Sequence, residues 1–225
     1  TTTKYFLLQR NAYLSDFQKV LRKKLGRYLF TNFFVNYFNP IININNKLNK
    51  DFKLEFDVIS KFLPKKVDNM LDIGSGLGII DIFISYYFNN NLNITLIDKN
   101  RVEKKVSYGF NAVGQFYNNF DLTLDFLKSN GLDDERIDFV DADSKDAINK
   151  NFDLVISLLS MGYHYPINQY LTMLRSNTNK NTVFIFDIAN EYTDLDLIKN
   201  TFGSVDIIYK SKEIRHNYLR VCCKY

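Results

Sequence analysis

The chain has 225 residues, 46% hydrophobic and 24% charged, with a formal charge of +4. That size and balance fit one globular domain with a modest extension, and its Lys and Arg residues are scattered, which disfavours a nucleic-acid partner. No run of about 18 apolar residues occurs and the opening Thr-Thr-Thr-Lys-Tyr does not read as a targeting sequence, so no membrane association is expected and the expected location is the cytoplasm.

In residues 13–25, Leu14, Phe17, Leu21 and Leu25 recur at helical spacing, Ser15 and Gln18 form a capping box, and Lys19, Arg22, Lys23 and Lys24 lie opposite. An amphipathic helix is predicted there. Residues 28–38 are too aromatic for a solvated linker and should pack on the main domain or on a partner chain, the latter giving a homodimer through this segment. The expected division is a helical cap over residues 1–50 and a main domain over residues 51–225, the latter starting with a helix over 51–63 that Pro64 ends.

Short β-rich runs follow at 70–73, 94–97, 137–140, 152–156 and 183–186, with segments long enough for crossover helices at 77–88, 118–130 and 167–175. This alternation predicts an α/β fold with a parallel sheet covered on both faces. Residues 205–209 and 218–223, two β-rich runs parted by charged residues, predict a closing antiparallel hairpin. The two cysteines, Cys222 and Cys223, are neighbours within it, where an ordinary disulfide is hard to form, so they are read as thiols of the strand core.

The most informative segment is Leu71-Asp72-Ile73-Gly74-Ser75-Gly76-Leu77-Gly78, a glycine-rich turn between the first strand and an apolar helix. Such glycines let the backbone turn sharply and approach a ligand, while the helix start offers free N–H donors. The spacing is Gly-x-Gly-x-Gly, not the Gly-x-Gly-x-x-Gly of dinucleotide binders, and Asp72 before it would repel a pyrophosphate but attract an ammonium group. Asp98 ends the second strand 20 positions beyond Gly78, where a carboxylate can accept hydrogen bonds from both ribose hydroxyls.

With these residues the chain resembles the class I S-adenosylmethionine-dependent methyltransferase family, whose first motif, an acid followed by Gly-x-Gly-x-Gly, holds the methionine part of the cofactor. The resemblance extends over residues 69–160 and implies a Rossmann-like, doubly wound, mostly parallel seven-stranded sheet. It implies S-adenosylmethionine as cofactor, with S-adenosylhomocysteine as product, and no metal. The cofactor residues it implies are Asp72, Gly74, Ser75, Gly76 and Gly78 at the loop, and Asp98 with its neighbour Lys99 at the ribose. Asp143 with Ser144 would meet the adenine, Asp141 competing for that role, and Ser157 would end the fourth strand beside the transferable methyl group.

Two segments are candidates for the acceptor side. Residues 101–117 form an insertion between Asp98 and the next helix, and Tyr108, Gln115 and Tyr117 suit either a loop folding over a ligand or an extra helix. Residues 158–166 follow the fourth strand at the carboxyl end of the sheet, where open α/β folds place ligands. There His164 is the candidate proton acceptor with Tyr163 beside it, and Ser160 and Tyr165 could orient the acceptor. His216, in the hairpin, reads as structural. The fourth motif lacks an Asn-Pro-Pro-Tyr type sequence, so a small polar acceptor, with O-methylation of a sugar hydroxyl in view, ranks ahead of nucleic acid or protein. A nicotinamide dehydrogenase and a non-catalytic binding module are the rivals.

Overall fold

The computed structural model describes residues 6–7, 14–37, 41–100, 118–144, 148–163, 165–189, 195–211 and 217–225. Helix α1 (Asp16–Leu25) starts on the expected capping box: the Ser15 hydroxyl accepts from Gln18 N at 3.3 Å, and the Gln18 side chain accepts from Ser15 N at 2.8 Å. Gly26, at φ +82°, turns the chain into α2 (Arg27–Tyr37). There Phe30 and Phe34 stack at 5.3 Å inside the core, whereas Leu29 and Phe33 stay exposed. The helix expected from residue 51 begins at Ile41, so the division placed at residue 50 falls inside one continuous helix, α3 (Ile41–Ile59). Ile44, Leu48 and Phe52, four apart, form its buried stripe. One 3₁₀ turn (Ser60–Phe62) then precedes Pro64.

The alternating part comprises β1 (Asn69–Ile73), α4 (Ile79–Tyr87), β2 (Asn93–Asp98), α5 (Phe120–Ser129), β3 (Ile137–Asp141), β4 (Phe152–Ser157), α6 (Leu171–Asn177), β5 (Thr178–Ala189), α7 (Leu195–Thr201), β6 (Ser204–Lys210) and β7 (Tyr218–Lys224). The strands form one seven-stranded sheet in the order β3-β2-β1-β4-β5-β7-β6. The first five pair in parallel, and β7 runs antiparallel between β5 and β6. This is the doubly wound α/β fold expected. Three details differ from the sequence reading. The fifth strand starts at Thr178, five residues before its apolar run at 183–186; the helix expected over 167–175 is a 3₁₀ turn (Ile167–Gln169) followed by α6; and α7 was not anticipated.

Side chains alternate between two cores because a covered sheet buries both of its faces. Met70, Ile94, Leu96, Leu154, Ile156 and Ile185 face the layer that holds Ile59, Ile84 and Leu127. Leu71, Ile73, Ile97, Val155, Phe184 and Phe186 face Leu174, Ile198 and Phe202. Adjacent in β7, Cys222 joins the first core and Cys223 the second, both as free thiols whose pKa values burial raises. They are inert packing groups. No helix among the described residues is long and apolar enough to cross a membrane.

Candidate functional site

The sheet changes direction at β1, which has β2 on one side and β4 on the other, so the carboxyl ends of these strands open onto the switch point where such folds bind ligands. The glycine-rich segment leaves β1 there. Gly74, Gly76 and Gly78 have φ of +80°, +58° and +66°, left-handed values that side chains rarely adopt. Gly74 also needs the missing side chain: a Cβ would stand 2.0 Å from Ser160 Oγ. Gly74 N donates to Ile97 O at 2.7 Å, tying the loop to β2.

Asp98 grips the same loop. One of its carboxylate oxygens accepts from Gly76 N at 2.7 Å and the other from Lys99 N at 2.7 Å. Burial raises its pKa, against the lowering effect of these donors and of Asn118. A carboxylate offers about four acceptor sites, so beyond these three donors the group can still accept from a ligand hydroxyl. Asp98→Ala is expected to weaken S-adenosylhomocysteine binding by about 1.5–3 kcal/mol, because charge-assisted hydrogen bonds are lost. Titration calorimetry checks this, and an unchanged Kd in the folded variant removes Asp98 from the site.

The β2–β3 register sets Asp98 opposite Asp141. Asp141, the last residue of β3, accepts from Asp143 N through Oδ1 at 3.0 Å and shapes the turn, and the half-exposed Asp143 carboxylate meets Lys99 Nζ at 2.9 Å. Ser144 N closes this turn on Asp141 O at 2.8 Å. Lys99, Asp143 and Ser144 thus form the rim beyond Asp98.

Ser157 ends β4 at this switch point. Its hydroxyl is fully buried, donates to Ile73 O at 2.7 Å and accepts from Met161 N at 2.8 Å, so it clasps β1, β4 and the following loop together. That loop is sharply folded, with Leu159 at φ +56° and Gly162 at +80°. Ser160 packs on Gly74, and its carbonyl accepts from Tyr163 N and Tyr165 N at 3.0 and 3.2 Å. The Tyr163 ring is buried edge-on against Tyr218 at 6.2 Å, an interior position that supports the loop. Tyr165 is partly buried beside it. His164, Tyr108, Gln115, Tyr117, His216 and the 101–117 insertion lie outside the described residues.

Several residues at this end of the sheet were missed from the sequence. Asn118 is almost fully buried, and its amide donates to Gly76 O at 2.9 Å; the Thr123 hydroxyl lies 3.2 Å from the same oxygen. Asp81, in the first turn of α4, is fully buried beneath the loop. Asp187 of β5 holds Leu159 N at 3.0 Å and is gripped by Arg220 of β7 through Nε at 2.7 Å and Nη2 at 3.0 Å. Arg220 also reaches Glu55 of α3 at 3.7 Å. The available signal was a lone charge within an apolar run, as in Ile80-Asp81-Ile82, Phe186-Asp187-Ile188 and Leu219-Arg220-Val221. Arg220→Ala is expected to destabilise the fold by about 3–5 kcal/mol, because Asp187 would remain buried without its cation. Urea unfolding measures this, and a change below about 1 kcal/mol would mean that Asp187 finds another partner.

The residues present fit an S-adenosylmethionine-type cofactor. The loop is a cradle that side chains would fill, Ser75 Oγ and both Asp81 oxygens are buried without a hydrogen-bond donor or acceptor assigned to them among the described residues, and Asp72 is 3% exposed at the loop's start. Among those residues no cluster of three or more His, Cys, Asp or Glu side chains is arranged to hold a metal ion.

Comparison with solved structures identifies the fold as that of class I S-adenosylmethionine-dependent methyltransferases. Precorrin-6y C5,15-methyltransferase from Geobacter metallireducens superposes with a TM-score of 0.52 at 16% identity, covering 77% of this chain and 87% of its own. The 16S rRNA N2 G1207 methyltransferase of T. thermophilus, in complex with AdoMet and guanosine, gives 0.52 at 12% identity, covering 77% and 42%. An O-methyltransferase family protein from Burkholderia thailandensis gives 0.50 at 11% identity, covering 85% and 61%. No family model and no curated protein matches the sequence.

Proposed function

We propose that the chain is an S-adenosylmethionine-dependent methyltransferase whose acceptor is a small polar molecule, with a hydroxyl, such as that of a sugar, as the group methylated. One observation carries the reading: three left-handed glycines close over the buried Asp72 at the switch point, with Asp98 one strand away. Asp72 suits an ammonium group, Asp98 a ribose diol and Asp143 an adenine amino group. The cofactor supplies an electrophilic sulfonium methyl, so the chain must align the acceptor and take up a hydroxyl proton. The loop after β4, held by Ser157 and Asp187, is the platform for both tasks, and His164 is its candidate base. The low and dispersed charge favours a small acceptor over nucleic acid.

Calorimetry with S-adenosylhomocysteine and NADH tests the reading, the expected outcome being binding of the former alone. Preference for NADH would return the chain to nicotinamide chemistry. Binding of S-adenosylhomocysteine with no methyl transfer into a pooled metabolite extract would favour a non-catalytic module.

A further inference from the structure

Asp81 lies among Ile79, Ile80, Ile82 and Ile84 in a largely apolar helix, yet its carboxyl group is fully buried on the side of the glycine loop. A Cβ on Gly78 would stand 3.2 Å from Asp81 Oδ2. Besides the backbone N–H of its own residue, the group that the Asp81 carboxyl meets is the facing Asp72 carboxyl, and neither Asp81 oxygen has a side-chain cation or hydroxyl against it among the described residues. Asp98 adds a further negative charge near Asp72, and Lys99, the cation on the rim, is engaged with Asp143. Two buried carboxyl groups in contact, with no cation between them, are stable only when they share a proton.

We propose that Asp72 and Asp81 act as one proton-sharing pair that releases its proton to solvent when the cofactor's ammonium group binds, so that cofactor uptake is coupled to proton release. The inference rests on the methyltransferase reading and adds Asp81 to it as a charge-tuning, positioning residue. Burial and mutual repulsion hold Asp72 well above the usual carboxylate range, and burial raises Asp81 to about 7. An arriving cation favours the ionised pair, so the pair's pKa is lower in the complex than in the free protein. Affinity therefore rises with pH between these two values, by up to about tenfold per unit.

Titration calorimetry with S-adenosylhomocysteine in buffers of different ionisation enthalpy tests the pair. At pH 6.5 the wild type is expected to release roughly 0.5–1 proton per ligand bound, and Asp81→Asn less than half of that. The wild-type affinity alone gives a second readout that needs no variant: it should rise at least threefold from about pH 5.5 to 6.5. Proton release that is absent in the wild type, or unchanged in a folded Asp81→Asn, overturns the pair while leaving the methyltransferase reading standing. No binding of S-adenosylhomocysteine at any pH would overturn both.

Discussion

Gly74→Val is expected to abolish measurable binding of S-adenosylhomocysteine, a loss of more than about 10³-fold, while the sheet still forms. Two costs coincide at this position. A β-branched residue is strained at φ +80°, and the new Cβ would stand 2.0 Å from Ser160 Oγ. The loop can escape only by moving, which breaks the Gly74 N bond to Ile97 O and shifts the Gly76 amide away from Asp98. Gly74→Ala/Ser160→Gly separates the two costs: it removes the colliding side chain but keeps the backbone strain, so part of the binding should return. Circular dichroism checks the fold and calorimetry the affinity. Near-normal binding by Gly74→Val would exclude the loop as the cofactor cradle.

His164→Ala is expected to lower turnover by about 10²–10⁴-fold with cofactor affinity little changed, if this histidine takes the acceptor's proton. The wild-type rate should then fall as pH drops through the pKa of His164 in the complex, since protonated imidazole cannot act as a base. His164→Asn is the sharper control, because it keeps a polar group of similar reach without basicity near neutral pH. Full activity in His164→Asn with a flat pH profile would leave transfer driven by alignment alone and turn attention to Tyr165. Burial pushes Asp81 up to about 7, so the rate must be measured at saturating cofactor to isolate the histidine.

The alternating part of the fold was legible because its strands are buried on both faces and read as unbroken apolar runs between helical segments. Ser15 and Gln18 announced α1 correctly, since capping is a local interaction. The start of α3 was hidden: its first ten residues are rich in Asn and Lys, and among the side chains described there Ile44 and Leu48 carry the buried stripe. Residues 178–182, polar and exposed at 179–181, belong to β5 although only Thr178 among them pairs with β4, opposite Phe152, a tertiary contact that local pattern does not report. At the site, the glycines, Asp72 and Asp98 could be read because turn geometry and strand ends are encoded in a few adjacent residues. Asn118, Asp187 and Arg220 could not, since each acts on a backbone atom or a charge far away in sequence. Nor does local sequence show that the Ser157 hydroxyl joins Ile73 O to Met161 N.

The placement of β7 also imposes an order on assembly. It is the last strand in the chain but an interior strand of the sheet, lying between β5 and β6. A growing polypeptide therefore carries β6 without a sheet to join until the residues beyond it have paired with β5. Until then Asp187 also lacks the cation that Arg220 supplies from the same late strand, and the loop fastened at Leu159 cannot reach its final form. Completion of the loop after β4 is thereby tied to the pairing of β7, and a chain cut before residue 218 would lose β6 from the sheet together with β7.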